Sequence, residues 1–159
     1  MIKQISVYDF DGTVVDSSHR YRTQIDANGV EKIDLQYWID NEHKTLDDTL
    51  LPLAARFKEE LANPEIFVIV ATARIWCELS EKMAVRDGVK AQHIIARKDR
   101  NDQRGGAALK ITGLKRLLNL KQFKNVKEIH IFEDNQNYLN DLVDAFNGIG
   151  HFYPSNQGH

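Results

Sequence analysis

Four short apolar runs punctuate the chain: Ile5 to Phe10, Phe67 to Ala71, His93 to Ala96 and Ile129 to Phe132, with a weaker fifth at His151-Phe152-Tyr153. They are rich in Ile and Val and hardly alternate between apolar and polar, the pattern of parallel strands covered on both faces. Between them the apolar period lengthens. Leu50, Leu53, Ala54, Phe57 and Leu61 form one stripe; Trp76, Leu79, Ser80 and Met83 a second; Ile111, Leu114, Leu117 and Leu118 a third; Leu139, Leu142, Val143 and Phe146 a fourth. Each keeps the i, i+3, i+4, i+7 spacing of a helix that lays one face on a sheet. Strands alternating with helices predict an α/β fold, a doubly wound Rossmann-like parallel sheet with its ligand chemistry at the carboxyl ends of the strands.

The interval from Val14 to Pro64 holds more than one crossover helix requires. Within it, residues 17–22 and 33–41 read as short helices framing a site entrance. No internal repeat or low-complexity tract interrupts the pattern. A length of 159 residues suits a single domain, 1–159, with about 17–63 as a small insertion after the first strand.

Composition narrows the class. With 42% hydrophobic and 28% charged residues the chain is globular rather than disordered. A formal charge of -2 gives no global attraction to nucleic acid, so any polyanion must meet a local patch. The single cysteine, Cys77, excludes an internal disulfide framework and reads as a small buried apolar residue on a helix, in a reducing compartment. No apolar run nears the roughly 20 residues of a membrane span, and Met1 to Ser6 enters a strand at once instead of forming a signal peptide. The expectation is a cytoplasmic protein with no membrane partner; the sequence leaves the oligomeric state open.

The candidate chemistry begins where the first run ends, at Asp9-Phe10-Asp11-Gly12-Thr13. Side chains two apart on an extended segment point the same way, so Asp9 and Asp11 share a pocket while Phe10 turns into the core. Gly12 lets the chain turn sharply and bring backbone close to a ligand. The stretch from Asp9 to Ser17 resembles the first motif of the haloacid dehalogenase (HAD) superfamily in its phosphatase form. That resemblance implies a phosphoryl-transfer enzyme of HAD fold, with Asp9 as nucleophile, Asp11 as general acid and base, magnesium between them, and a cap inserted in the interval described above. A cap this small would leave the pocket open to large or polymeric substrates.

Three further motifs follow in the superfamily's order. Thr72, at the end of Val68-Ile69-Val70-Ala71, matches the second and can donate to a phosphoryl oxygen. Arg74 is similar to the arginine of the polynucleotide phosphatase branch, although Ala73 stands where that branch more commonly has Gly. A lysine must offset the repulsion between an aspartate and a phosphate dianion, roughly 4 kcal/mol per charge pair at 4 Å and an effective dielectric of about 20. Lys110, behind the Gly105-Gly106 turn, resembles the third motif best; Lys115 and Lys98 are the alternatives. Glu133-Asp134 matches the acidic fourth motif, with Asp134 the better direct ligand and Glu133 in an outer position. The implied magnesium site draws on Asp9, Asp11, Asp134 and Glu133.

Other residues carry weaker signals. His19, Arg20, Tyr21 and Arg22 should rim the pocket, with Arg20, Arg74 and Gly12 the candidate substrate contacts. Arg97 to Arg104 is either a solvated mixed-charge loop or a cationic contact for a nucleotide phosphate. Tyr37-Trp38 is either cap core or a base-stacking platform, and His130 reads as a packed strand residue. The expected function is a magnesium-dependent phosphomonoesterase working through an aspartyl phosphate on a nucleotide or a polynucleotide phosphate end. A sugar phosphatase or phosphomutase of the same superfamily, or a phosphate-binding module without turnover, are the alternatives.

Overall fold

β1 (Gln4–Tyr8) shows why the first apolar run does not alternate: Tyr8 and, just beyond it, Phe10 sit in one core, Ile5 and Val7 in another, and both faces of the strand are covered. The structure, a computed structural model, describes residues 1–155. After β1 come β2 (Val15–Asp16), a 3-10 turn at Ser18–Arg20, the hairpin strands β3 (Thr23–Ile25) and β4 (Glu31–Ile33), α1 (Leu35–Asp40), a 3-10 segment at Glu42–Asp47 and β5 (Thr49–Leu50). The chain then runs through α2 (Ala54–Leu61), β6 (Ile66–Ile75), α3 (Glu78–Arg86), β7 (His93–Arg97), α4 (Gly106–Leu118), a 3-10 turn at Lys121–Phe123, β8 (Glu128–Glu133), α5 (Gln136–Phe146) and β9 (Ile149–Phe152).

Five of these strands form one parallel sheet in the order β7-β6-β1-β8-β9. Strand order reverses at β1, whose two neighbours are β6 and β8, so the crevice at its carboxyl end is the switch point where doubly wound sheets bind ligands. One face carries Tyr8, Phe57, Val70, Met83 and Phe132, under α2 and α3; the other carries Val7, Ile69, Leu109, Leu114, Ile131 and Leu139, under α4 and α5. The doubly wound α/β sheet expected from the sequence is the fold observed.

The segment between β1 and α2 departs from the expected helices. Residues 17–22 supply only the 3-10 turn at Ser18–Arg20, and 33–41 contain the six-residue α1. Between them β3 and β4 pair antiparallel around Asp26 to Gly29. Asp26 Oδ1 accepts from the amides of Asn28 and Val30 at 2.9 and 3.0 Å, and Gly29 takes a φ of +75°. A short carboxylate that satisfies its own turn, followed by Asn-Gly, favours a hairpin over a helix here. β2 and β5 also pair, tying the start of the excursion to its end.

Candidate active site

Register brings the functional side chains together. Tyr8 is aligned with Val70 of β6 and Phe132 of β8, so the residues that follow each of these emerge side by side. Asp9 extends the ladder by one bond, its amide donating to the Phe132 carbonyl at 2.8 Å. Glu133 and Asp134 follow on one side of it and Thr72 on the other. Past Asp9 the chain folds back: Gly12 takes a φ of +77°, its amide donates to the Val15 carbonyl at 2.8 Å, and the amides of Val14 and Val15 close on the Phe10 carbonyl at 2.9 and 3.0 Å. Gly12 therefore shapes the loop, and its N–H points into that turn instead of toward a ligand.

Lys110 stands at the centre. Its ammonium, on a side chain 2% exposed, donates to Asp9 Oδ1 at 2.8 Å and to Glu133 Oε2 at 2.6 Å. Burial alone would lower its pKa; the two carboxylates outweigh that and hold it above the ordinary lysine value. Burial pushes the Glu133 carboxyl up, and Asp134 adds to this while Lys110 opposes it; the net shift is upward. Lys98 and Lys115 are exposed on the loop after β7 and on the outer side of α4, and neither lines this cavity. The carboxylates of Asp9, Glu133 and Asp134 offer oxygens within 4.8 Å of one another. Thr13 Oγ1 donates to Asp9 Oδ2 at 3.2 Å, and Ser155 Oγ to Asp134 Oδ2.

Asp11 lies apart from that trio. Its carboxylate accepts from Arg74 through both Nε, at 3.1 Å, and Nη2, and from Ser17 Oγ at 2.7 Å. Burial would raise its pKa, but the Arg74 guanidinium reverses the effect and Asp11 is held below the usual carboxylate range. Thr72 Oγ1 accepts from the Arg74 amide at 3.1 Å, which leaves its hydroxyl proton to donate into the cavity it lines.

Arg74 also reaches Asp48 Oδ2 at 2.8 Å, and Asp48 is a residue that sequence reasoning missed. It is 2% exposed and further accepts from Arg20 Nε and Nη2 at 2.9 and 3.0 Å, with His19 Nε2 at 2.9 Å. Arg20 is thus buried and does not rim the cavity that Asp9 and Lys110 line, because a desolvated guanidinium settles on the carboxylate that satisfies it. Arg97 is likewise turned inward, bracing the following loop through the carbonyls of Ala73, Asp102 and Arg104 at 2.9, 2.5 and 2.8 Å. Arg104 pairs with Asp102, so of the loop's expected cations only Arg97 and Arg104 are seen bound within it. Cys77 is half-buried immediately before α3, 3.4 Å from Ser80 Oγ, instead of within the helix.

With this geometry the comparison with known proteins is decisive. The family model of the bacteriophage T5 5'-deoxynucleotidase matches residues 1–149. The chain belongs to that family. Curated protein sequences yield no match. The fold is similar to that of the HAD domain of the effector protein Lem4 from Legionella pneumophila, with a TM-score of 0.63 and 11% identity over 99% of this chain and 88% of that one. CbbY from Rhodobacter sphaeroides, in complex with phosphate, gives 0.62 and 14% over 98% and 87%. The archaeal β-phosphoglucomutase from Pyrococcus sp. gives 0.60 and 13% over 94% and 86%. The HAD-type phosphatase read from the sequence is the enzyme class these comparisons support.

In this 5'-deoxynucleotidase family member Asp9, Asp11, Thr72 and Lys110 line a cavity of about 230 Å³. Ile33, Leu35, Trp38, Ile39 and Ile75 supply its apolar lining; Arg97, Arg100, Asp102, Gln103 and Arg104 also line it, with Tyr138 near Lys110. Tyr21 also faces the cavity, its phenol pushed up to about 12 by burial and by the carboxylates of Glu31 and Asp134, so it stays protonated. Gly106 is required beside Tyr138: a Cβ there would stand 2.9 Å from Cζ of that ring. Among the described residues no helix is long and apolar enough to cross a membrane.

Proposed function

We propose that the protein is a magnesium-dependent phosphomonoesterase that hydrolyses the 5'-phosphate of a deoxynucleotide through an aspartyl phosphate. The observation that carries the chemistry is Lys110 bridging Asp9 and Glu133, with Asp134 alongside and Thr72 on the neighbouring strand β6. The donor set is entirely carboxylate oxygen, which fits a hard cation such as magnesium, with Asp9, Asp134 and Glu133 as the residues nearest to hold it. Bound there, the ion supplies positive charge for the phosphoryl oxygens.

In this reading an Asp9 oxygen attacks phosphorus in line, a new O–P bond forms and the bond to the nucleoside oxygen breaks. Lys110 and the Thr72 hydroxyl hold the phosphoryl oxygens, the lysine offsetting the repulsion that opposes attack. Asp11 gives a proton to the departing 5'-oxygen, then takes one from the water that attacks phosphorus and frees Asp9 and inorganic phosphate. Arg74 keeps Asp11 ionised at rest. For the first of these steps Asp11 must therefore leave Arg74 and take up a proton from solvent before it turns to the leaving oxygen, so Arg74 sets when the acid is available. The reading also takes residues 17–63 as a cap over the core of a single domain, 1–159.

The substrate part rests on the family and on the apolar wall, which suits a nucleoside better than a sugar phosphate. Turnover measured across deoxynucleoside 5'-monophosphates, 3'-phosphorylated oligonucleotides and sugar phosphates, with magnesium and then with excess chelator, tests it. Hydrolysis of the mononucleotides only with magnesium is the expected result. Preference for a sugar phosphate, or full activity in chelator, would overturn it.

A further inference from the structure

The catalytic cavity is not the only space that Trp38 borders. A smaller cavity is lined by Arg20, and Trp38, Ile39, Arg74 and Ile75 border both. These side chains are therefore a partition. The Arg20 guanidinium lies 3.9 Å from the centre of the Trp38 ring, and Arg20 is fixed in turn by its two hydrogen bonds to Asp48. The indole is braced from the side of the smaller cavity by a buried cation and is itself half-buried.

The lining of the larger cavity is of two chemistries. Apart from the indole N–H, the side chains of Ile33, Leu35, Trp38, Ile39 and Ile75 offer no hydrogen-bonding group, while the loop after β7 presents Arg100 and Gln103. A sugar ring would bury hydroxyls against such apolar side chains without partners, at a cost. A flat heteroaromatic ring meets both demands, its face on the apolar side chains and its edge toward the loop. The geometry points to Trp38, held by Arg20, as the platform on which the substrate's nucleobase stacks while its phosphate rests on Asp9. This rests on the 5'-nucleotide reading above and deepens it. Because every base has a π-face, such a platform accepts purines and pyrimidines alike, and because it is braced before the ligand arrives, little ordering entropy opposes binding.

The test compares deoxynucleoside 5'-monophosphates with 2-deoxyribose 5-phosphate, which lacks only the base. In the unmodified protein kcat/KM favours the nucleotides. Trp38→Ala should lower the ratio of kcat/KM values, nucleotide over sugar phosphate, by about 5- to 150-fold, the range of base–aromatic stacking, mostly through KM. Trp38→Phe should recover most of it. An equal loss on both substrates would mark Trp38 as merely structural and overturn the platform, as would a ratio that Trp38→Ala leaves untouched. Binding gives a readout independent of turnover. Titration with a deoxynucleoside 5'-monophosphate should quench tryptophan fluorescence, and Trp38→Phe, which retains only Trp76, should lose the quench. If the quench occurs without any hydrolysis, the platform stands and the phosphatase reading falls; if no quench occurs, the platform falls whatever the turnover.

Discussion

The ammonium of Lys110 stands 2.8 Å from Oδ1 of Asp9, and both side chains are closed off from solvent. Glu133, 2.6 Å from the same ammonium, makes this a buried triad of two carboxylates and one cation. Removing the cation leaves like charges uncompensated in a poorly hydrated site. Lys110→Met should therefore cost about 3 to 5 kcal/mol of folding stability and abolish turnover together, read by urea denaturation and by phosphate release. A variant as stable as the parent would show that the triad is not what holds these strand ends together.

The proposed mechanism makes Asp9, held by Lys110, the nucleophile and Asp11, bound by Arg74, the proton carrier, so their loss should affect different steps. Asp9→Asn should eliminate both turnover and the covalent phosphoprotein. Asp11→Asn should slow turnover by about 100- to 10,000-fold while still allowing the phosphoprotein to form from a substrate with a good leaving group. Trapping with beryllium fluoride should be lost in Asp9→Asn and kept in Asp11→Asn. Wild-type turnover by Asp9→Asn would end the proposed mechanism.

The sheet was legible because its strands are buried on both faces, and burial writes itself into runs such as Ile5 to Phe10. Asp9, Thr72, Lys110 and Asp134 were legible because their chemistry recurs at fixed places in the fold; parallel register brings Asp9, Thr72 and Asp134 together, and α4 adds Lys110. The excursion after β1 was less so. Asn28-Gly29 is a hairpin signal that went unread beside the longer helical pattern at 33–41. Asp48 had no signal at all: it follows Asp47 in an ordinary polar stretch, and only the fold reveals that Arg20, Arg74 and His19 converge on it. Ion pairs between distant segments leave no periodicity in a sequence.

Asp48 gives a third expectation. Two guanidinium groups with almost no solvent share its carboxylate, and a neutral amide in its place offers one acceptor oxygen and turns an N–H₂ toward donors. Asp48→Asn should destabilise the protein by about 3 to 5 kcal/mol and also reduce kcat, since Arg74 positions Asp11. Chemical denaturation and steady-state kinetics on the same preparation check both. Full stability in the variant would show that Arg20 and Arg74 find other partners.

His151 predicts how stability depends on pH. It is stacked 4.4 Å from Phe132, with Nε2 2.9 Å from His130 Nδ1, and Arg56 and Glu60 also act on it. Burial lowers its pKa, and His130 and Arg56 lower it further against a small opposing effect of Glu60. A depressed folded-state pKa means that the unfolded chain binds more protons in the window below about 6.5, the ordinary histidine value. This contribution is present above that value and is lost as pH falls through the folded pKa. The urea midpoint should thus decline from pH 7 toward pH 5, and His151→Phe should flatten the decline; an unchanged slope in the variant would assign it to other groups.

The carboxylates of Asp9, Glu133 and Asp134 predict the response to metal. With one lysine among three acids the trio carries excess negative charge, and a cation that binds only the folded form stabilises it by RT ln(1 + [L]/Kd), about 2.7 kcal/mol at a hundredfold excess over Kd. For a chain of this length that corresponds to a rise in Tm of about 5 to 10 °C, reversed by chelator. Asp134→Asn keeps an acceptor for Ser155 but removes a charge beside Glu133. It should therefore raise Tm in chelator and lose most of the magnesium increment, two changes of opposite sign from one substitution. A magnesium increment that survives in the variant would place the ion elsewhere, and no increment in the parent protein would remove the metal from the site.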